Sequence, residues 1–185
     1  LQLGWPGRAW PLIGSVDPAS YLGLLTMHGT IMVFFVLTTA LTGGFGNFLI
    51  PLQIGARDMA FPFLNMLSYW LFPPAIVLLL AAFFVPGGAP SSGWTAYPPL
   101  SAVRQAAPGS GLGQTLWLLS LAVLIVAFLF GSLNYITTIL QMRTRGLSLM
   151  RMPMTIWAML VTAVVSLLSF PVLLAGAVLL LFDRI

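Results

Sequence analysis

Residues 114–140 read QTLWLLSLAVLIVAFLFGSLNYITTIL, a stretch without one Asp, Glu, Lys or Arg. A membrane-spanning helix needs about 20 apolar residues, and this run exceeds that length. It lacks the alternation of a barrel strand, and backbone groups in lipid must be paired internally, so a helix is expected. The same pattern recurs on both sides. Charged residues are also absent from 18–56, 59–103 and 152–182. Spans are therefore expected near 20–42, 64–86, 114–140 and 154–181, giving an all-α membrane protein of four transmembrane helices in one unit, 1–185.

Composition agrees. Of 185 residues, 59% are apolar and 5% charged, against about 25% charged in a soluble domain. A soluble globular enzyme, a disordered segment and a nucleic-acid binder are excluded, and the lipid bilayer is the expected surroundings. The high isoelectric point reflects seven Lys or Arg against three Asp or Glu, with no basic patch behind it. Without cysteine, this chain can form no disulfide, iron–sulfur or thiolate metal site.

Pro73, Pro74 and Pro171 fall inside expected spans, where neighbouring helices can re-satisfy freed carbonyls. Gly43-Gly44-Phe45-Gly46, Pro86-Gly87-Gly88-Ala89-Pro90 and Arg143-Thr144-Arg145-Gly146 read as punctuation between spans. Arg57, Arg143, Arg145 and Arg151 lie on one side, Arg8, Arg104 and Arg184 on the other. The positive-inside rule then puts 43–63 and 141–153 in the cytoplasm, with 1–19 and 86–113 outside. Leu1-Gln2-Leu3-Gly4-Trp5-Pro6-Gly7 has no initiator Met, charged start or cleavage pattern, so no signal peptide is expected. The chain reads as a piece of a longer polypeptide.

His28 is the single histidine, inside the first span. Ionisable groups at that depth are costly and mark function, and a neutral imidazole ligates metals and heme iron. Residue type and depth leave metal ligand and hydrogen-bonded filler both open. Gly29 beside it would admit a flat ring or another helix. Zinc is disfavoured, because a structural site wants four ligands. Asp58, in Gly55-Ala56-Arg57-Asp58-Met59-Ala60-Phe61-Pro62, reads first as an interfacial loop residue. Asn47, Asn65, Ser68 and Asn134 keep it polar company near the same ends of three spans. Together they could hold ordered waters behind a carboxylate, a route for protons; interhelical hydrogen bonding is the other reading for each Asn. Trp94 and Tyr97, in Gly93-Trp94-Thr95-Ala96-Tyr97-Pro98-Pro99, read by default as interfacial anchors, in a loop stiff enough to serve as a lid.

Four segments together resemble a family. Thr26-Met27-His28-Gly29-Thr30-Ile31-Met32-Val33-Phe34-Phe35, Gly43-Gly44-Phe45-Gly46-Asn47, the Gly55–Pro62 run and Gly93-Trp94-Thr95-Ala96-Tyr97-Pro98-Pro99-Leu100 are similar to subunit I of the heme-copper terminal oxidases, in order and spacing. The resemblance covers essentially the whole chain. It implies a fragment matching helices II to V of a twelve-helix bundle. It further implies a proton-pumping cytochrome c oxidase that reduces O2 to water in a cell membrane. Subunits II and III would be partners, with cytochrome c as donor through subunit II. His28 would be an axial ligand of the low-spin heme (a or b type). Trp94 and Tyr97 would lie near the propionates of the high-spin heme. Asp58 would be the mouth of the D proton channel, with Asn47, Asn65, Ser68 and Asn134 above it.

The ligands of the high-spin heme and of copper belong to helices VI to X, so this piece alone is expected to be inactive. The chain also departs from the pattern: a helix IV serine pair falls on Ala127 and Phe128, and a second asparagine falls on Met66. Ser20 and Gly23 stand where quinol-oxidising members carry a His and a Gln. That tilts the donor toward cytochrome c, with a quinol oxidase as the alternative. From a different class, a proton-coupled transporter using His28 and Asp58 predicts no heme. A bis-histidine cytochrome with two hemes would need four histidines.

Overall fold

The computed structural model describes residues 4–9, 16–107 and 109–184. Leu1, Gln2 and Leu3, on which part of the signal-peptide reading rests, lie outside the described residues, as do 10–15 and Pro108 of the two loops assigned to the outside. Four helices are long and apolar enough to cross a membrane: α1, Pro18–Ile54; α2, Pro62–Ala81; α3, Leu112–Gln141; and α4, Met154–Arg184. No strand occurs among the described residues. Successive helices run in opposite directions, so one end of the bundle carries Asp58 and the other carries Trp94.

Asp17 starts α1. Its carboxylate accepts from the N–H groups of Ala19 and Ser20 at 3.2 and 3.4 Å, and Pro18 takes the first turn, where a missing donor is harmless. Hydrogen bonds from Ser20, chiefly its hydroxyl, hold the Asp17 carboxyl below the usual carboxylate range.

The first helix does not stop at the expected residue 42. Gly43-Gly44-Phe45-Gly46 is helical, and the chain continues to Ile54. Gly46 serves packing rather than turning, because a Cβ there would meet the Tyr135 hydroxyl at 2.7 Å. Residues Ile31–Gly46 are wound as a π-helix. Thr38 and Thr39 follow that wider winding, donating to Val33 O and Phe34 O, five residues back, at 2.7 and 3.1 Å. Long π segments are rare, and shorter ones gather at functional sites.

The second helix ends earlier than the expected 86. Ala82, Phe83 and Phe84 N–H groups bond carbonyls three residues back, tapering the helix into the loop after Ala81. The other two helices start or end within three residues of the expected limits.

α3 is the central element, packed on both α2 and α4. Its buried positions Gln114, Trp117, Leu118, Leu121, Leu124 and Ile125 recur every three or four residues, forming one helical stripe. Two apolar clusters result. One, toward Trp94, joins Met27, Leu79, Trp117, Leu118 and Leu121. The other, toward Asp58, joins Ile50, Ile54, Met59, Ile139 and Ile156.

Polar pairings stitch helices and loops together. Ser120 of α3 donates to Ala75 O of α2 at 2.6 Å, and the Trp117 indole donates to the Thr30 hydroxyl at 2.9 Å. Arg184, 3% exposed, closes the Trp94 end. Its guanidinium donates to Thr115 Oγ1 at 3.2 Å, to Ser101 O and Gly111 O at 2.6 Å each, and to Ser110 O. A cation also suits the carbonyl end of a helix. Arg184→Ala is expected to destabilise the protein by about 3 kcal/mol, because carbonyls bonded to a buried charge lose their donor. The thermal midpoint of the purified membrane complex reads this, with Arg184→Lys falling between because an ammonium cannot fork to several acceptors.

Candidate functional site

The sequence-predicted residues separate into two groups at opposite ends. At the Trp94 end, Thr26 and Thr30 lie one turn apart on the face of α1 turned to the interior, and both are buried. The Thr26 hydroxyl accepts from Gly93 N–H at 3.0 Å, which brings the 91–96 loop onto α1. Trp94 then settles on Gly29: a Cβ added there would meet indole Cδ1 at 2.9 Å. The indole meets Phe34 edge-on, centroids 6.2 Å apart. Sequence order thus becomes spatial neighbourhood, with Trp94 one residue along the helix from His28.

His28 sits two residues after Thr26, about 200° around the helix. It accordingly faces away from α3 and is exposed, with Leu24, Leu25 and Met32 exposed alongside it. No described residue forms a hydrogen bond with its imidazole. A free imidazole on an apolar helical face fits the holding of a heme, whose edge and faces are largely apolar. It does not fit a copper or zinc centre built by this chain, since no group of three or more His, Cys, Asp or Glu forms among the described residues. Tyr97 is not drawn to His28; it stands 73% exposed on the loop.

At the other end, Asp58 is exposed, and its carboxylate accepts from Met59 N–H at 2.7 Å. Asn134 does something more definite than line a path. Its Oδ1 accepts from Phe61 N–H at 2.9 Å, and its Nδ2 donates to Phe61 O at 3.3 Å. One turn on, Thr138 Oγ1 accepts from Ala60 N–H at 2.9 Å. These bonds clip the loop after Asp58 to α3.

Asn65 and Ser68 lie one turn apart on α2, and the Ser68 hydroxyl donates to Asn65 O at 2.7 Å. Asn47 donates through Nδ2 to Gly43 O at 2.7 Å. The Oδ1 atoms of Asn47 and Asn65 are buried without a partner among the described residues, so each keeps an acceptor for water or a proton-bearing group.

Asn47 and Ser68 also border a cavity of about 390 Å³ between the two apolar clusters, walled by all four helices. Thr38, Thr42, Ser132, Tyr135, Thr162 and Ser166 border it too. Reading the sequence missed these six. A signal was present: Thr38 with Thr42, and Thr162 with Ser166, stand four apart and share a helical face.

A multi-pass helical membrane protein is thus defined, with an imidazole free near one end, an exposed carboxylate at the other, and between them a largely apolar cavity edged by hydroxyls. The family model described as Cytochrome C and Quinol oxidase polypeptide I matches residues 1–185, and the chain belongs to that family. It is 51% identical over 185 residues, all of this chain and 30% of the relative, to the alternative cytochrome c oxidase subunit 1 of Bradyrhizobium diazoefficiens. Identity to cytochrome c oxidase subunit 1 of Thermostichus vulcanus is 48% over 91% of this chain and 29% of the relative. For the Synechocystis protein it is 46% over 96% and 31%. The chain spans about three-tenths of the length of these relatives.

The clip gives a direct test. Asn134→Ala leaves Phe61 N–H without its acceptor, a loss of about 1–3 kcal/mol locally. Amide hydrogen exchange at Ala60 and Phe61 is expected to accelerate, and Thr138→Val is expected to act chiefly on Ala60.

Proposed function

We propose that the chain is part of the catalytic subunit of a respiratory terminal oxidase that reduces O2 to water with electrons from cytochrome c and couples this to proton pumping. The observation that carries the reading is the 51% identity along the full chain to an alternative cytochrome c oxidase subunit 1. His28 would hold a low-spin heme, of a or b type, through its imidazole. Such a heme, when bound, supplies one-electron redox chemistry. The imidazole serves this role neutral, with a nitrogen lone pair available. Trp94, seated on Gly29, packs against the turn that carries His28. Trp94 and Tyr97 would offer an indole N–H and a phenol O–H to the propionates of a high-spin heme. The iron ligand of that heme and the copper ligands lie outside this chain.

At the other end, Asp58 is the exposed carboxylate that collects protons. Asn47 and Asn65 offer free amide oxygens above it, and Ser68 carries its hydroxyl on the same route. Asn134 supports that entry by holding the loop beside Asp58 in place. Subunits II and III of the oxidase are the partners, with cytochrome c delivering electrons through subunit II. The bacterial sources of the matched relatives support a bacterial inner membrane.

A reduced-minus-oxidised optical spectrum of the intact complex, beside His28→Ala, tests the reading. The mutant is expected to lose the low-spin heme band and keep the high-spin one, and the wild type to turn over with reduced cytochrome c. Because the family description covers both donors, turnover with quinol alone would make it a quinol oxidase. A wild type without heme would sink the assignment and leave a proton-coupled transporter in its place.

A further inference from the structure

We propose that Ser166 of α4 is the proton-relaying hydroxyl at the upper end of the cavity, standing in for hydroxyls that α3 lacks there. The proposal rests on the proton path described above.

The cavity of about 390 Å³ is large enough for a file of several waters, each needing about 10–15 Å³ of such space and two or more polar partners. Its walls are chemically unequal. On α1, Thr38 and Thr42 commit their hydroxyl protons to Val33 O and Thr38 O, at 2.7 and 2.6 Å. Asn47 donates one of its two amide hydrogens to Gly43 O, and Tyr135 of α3 commits its hydroxyl to Thr42 O. The three hydroxyls therefore turn lone pairs to the cavity, where they can anchor waters but have no proton to hand on.

A relay must accept on one side and donate on the other. Ser132 of α3 and Thr162 and Ser166 of α4 border the cavity with hydroxyls that no described residue engages. Ser132 and Thr162 belong to the lower part. One turn beyond Ser132, toward the Trp94 end, α3 presents Ala127 and Phe128, the two positions where the resemblance expects serines. Phe128 stacks on Phe170 of α4, centroids 5.4 Å apart and planes within 19°. Phe170 follows Ser166 by one turn on the same face of α4. Ser166 is thus the hydroxyl lying immediately beneath the aromatic stack.

In the relay, the Ser166 oxygen accepts a proton from one cavity water as its own proton passes to a second cavity water. One O–H bond forms and one breaks, and the side chain ends unchanged.

The test uses the complete oxidase in vesicles, reading single-turnover proton uptake with a pH dye and the heme spectrum alongside. Ser166→Ala is expected to slow uptake by about tenfold, the effect of losing roughly one hydrogen bond from the barrier, with the heme spectrum unchanged. Ser166→Thr keeps the hydroxyl and is expected to keep the rate. Adding Phe128→Ser to Ser166→Ala returns a hydroxyl to α3 and is expected to recover uptake. Wild-type uptake in Ser166→Ala, while Asp58→Asn is slow, overturns the role of Ser166 and leaves the proton path standing. Equal slowing in Ser166→Thr also overturns it, since the hydroxyl is then irrelevant. Wild-type uptake in Asp58→Asn overturns both the path and the relay.

Discussion

Lipid leaves no polar group to water, and that constraint organises this chain. Among the described residues, the 55–61 and 82–111 connections are held by polar side chains reaching out of neighbouring spans. Thr26 accepts the amide of Gly93, Asn134 and Thr138 take the amides of Phe61 and Ala60, and Arg184 gathers the carbonyls of the 101–111 stretch. Each bond removes a backbone group that would otherwise cost several kcal/mol at the edge of a bilayer. The connecting segments are thereby fixed to the helices that carry the candidate functional residues. Trp94 reaches Gly29 because Gly93 is already anchored one turn away on the same helix.

The two apolar clusters have a consequence for the middle of the bundle. Close packing toward Trp94 and toward Asp58 leaves a gap where α1 is wound as a π-helix and where Gly43, Gly44 and Gly131 offer no side chains. Small residues and a widened helix leave room there, and hydroxyls make the space wettable. Phe128 and Phe170 limit it from the side of the Trp94 cluster. In a largely apolar gap of this kind a charge is expensive away from the few hydroxyls that edge it.

Much of this was legible in the sequence. Four charge-free runs gave four spans because lipid imposes length and apolarity so strictly. The end of α1 was misread, because Gly43-Gly44-Phe45-Gly46 carries the composition of a turn. Glycine serves turns and close helix contacts equally, and only the position of Tyr135 distinguishes them. His28 stood out by type and depth, and its exposure follows from its phase relative to Thr26 and Thr30. The clip made by Asn134 was not legible, since its partners are backbone atoms more than seventy residues away. Nor could spacing alone show that hydroxyls of α1 and α4 share one space.

The same distinction explains why exposure at His28 and burial at Asn134 carry opposite meanings. Asn134 spends both halves of its amide on Phe61, so its chemistry is consumed in holding a loop. His28 has no described hydrogen-bond partner and looks outward beside Leu24, Leu25 and Met32. A polar side chain at membrane depth with nothing to bond is unfavourable unless something outside these four helices completes it. The chain spans about three-tenths of its relatives' length, and in those relatives the polypeptide outside the matched part has ample length to cover the corresponding face. On the proposed reading the four helices would be a half-site, holding one ligand and one proton entrance in place.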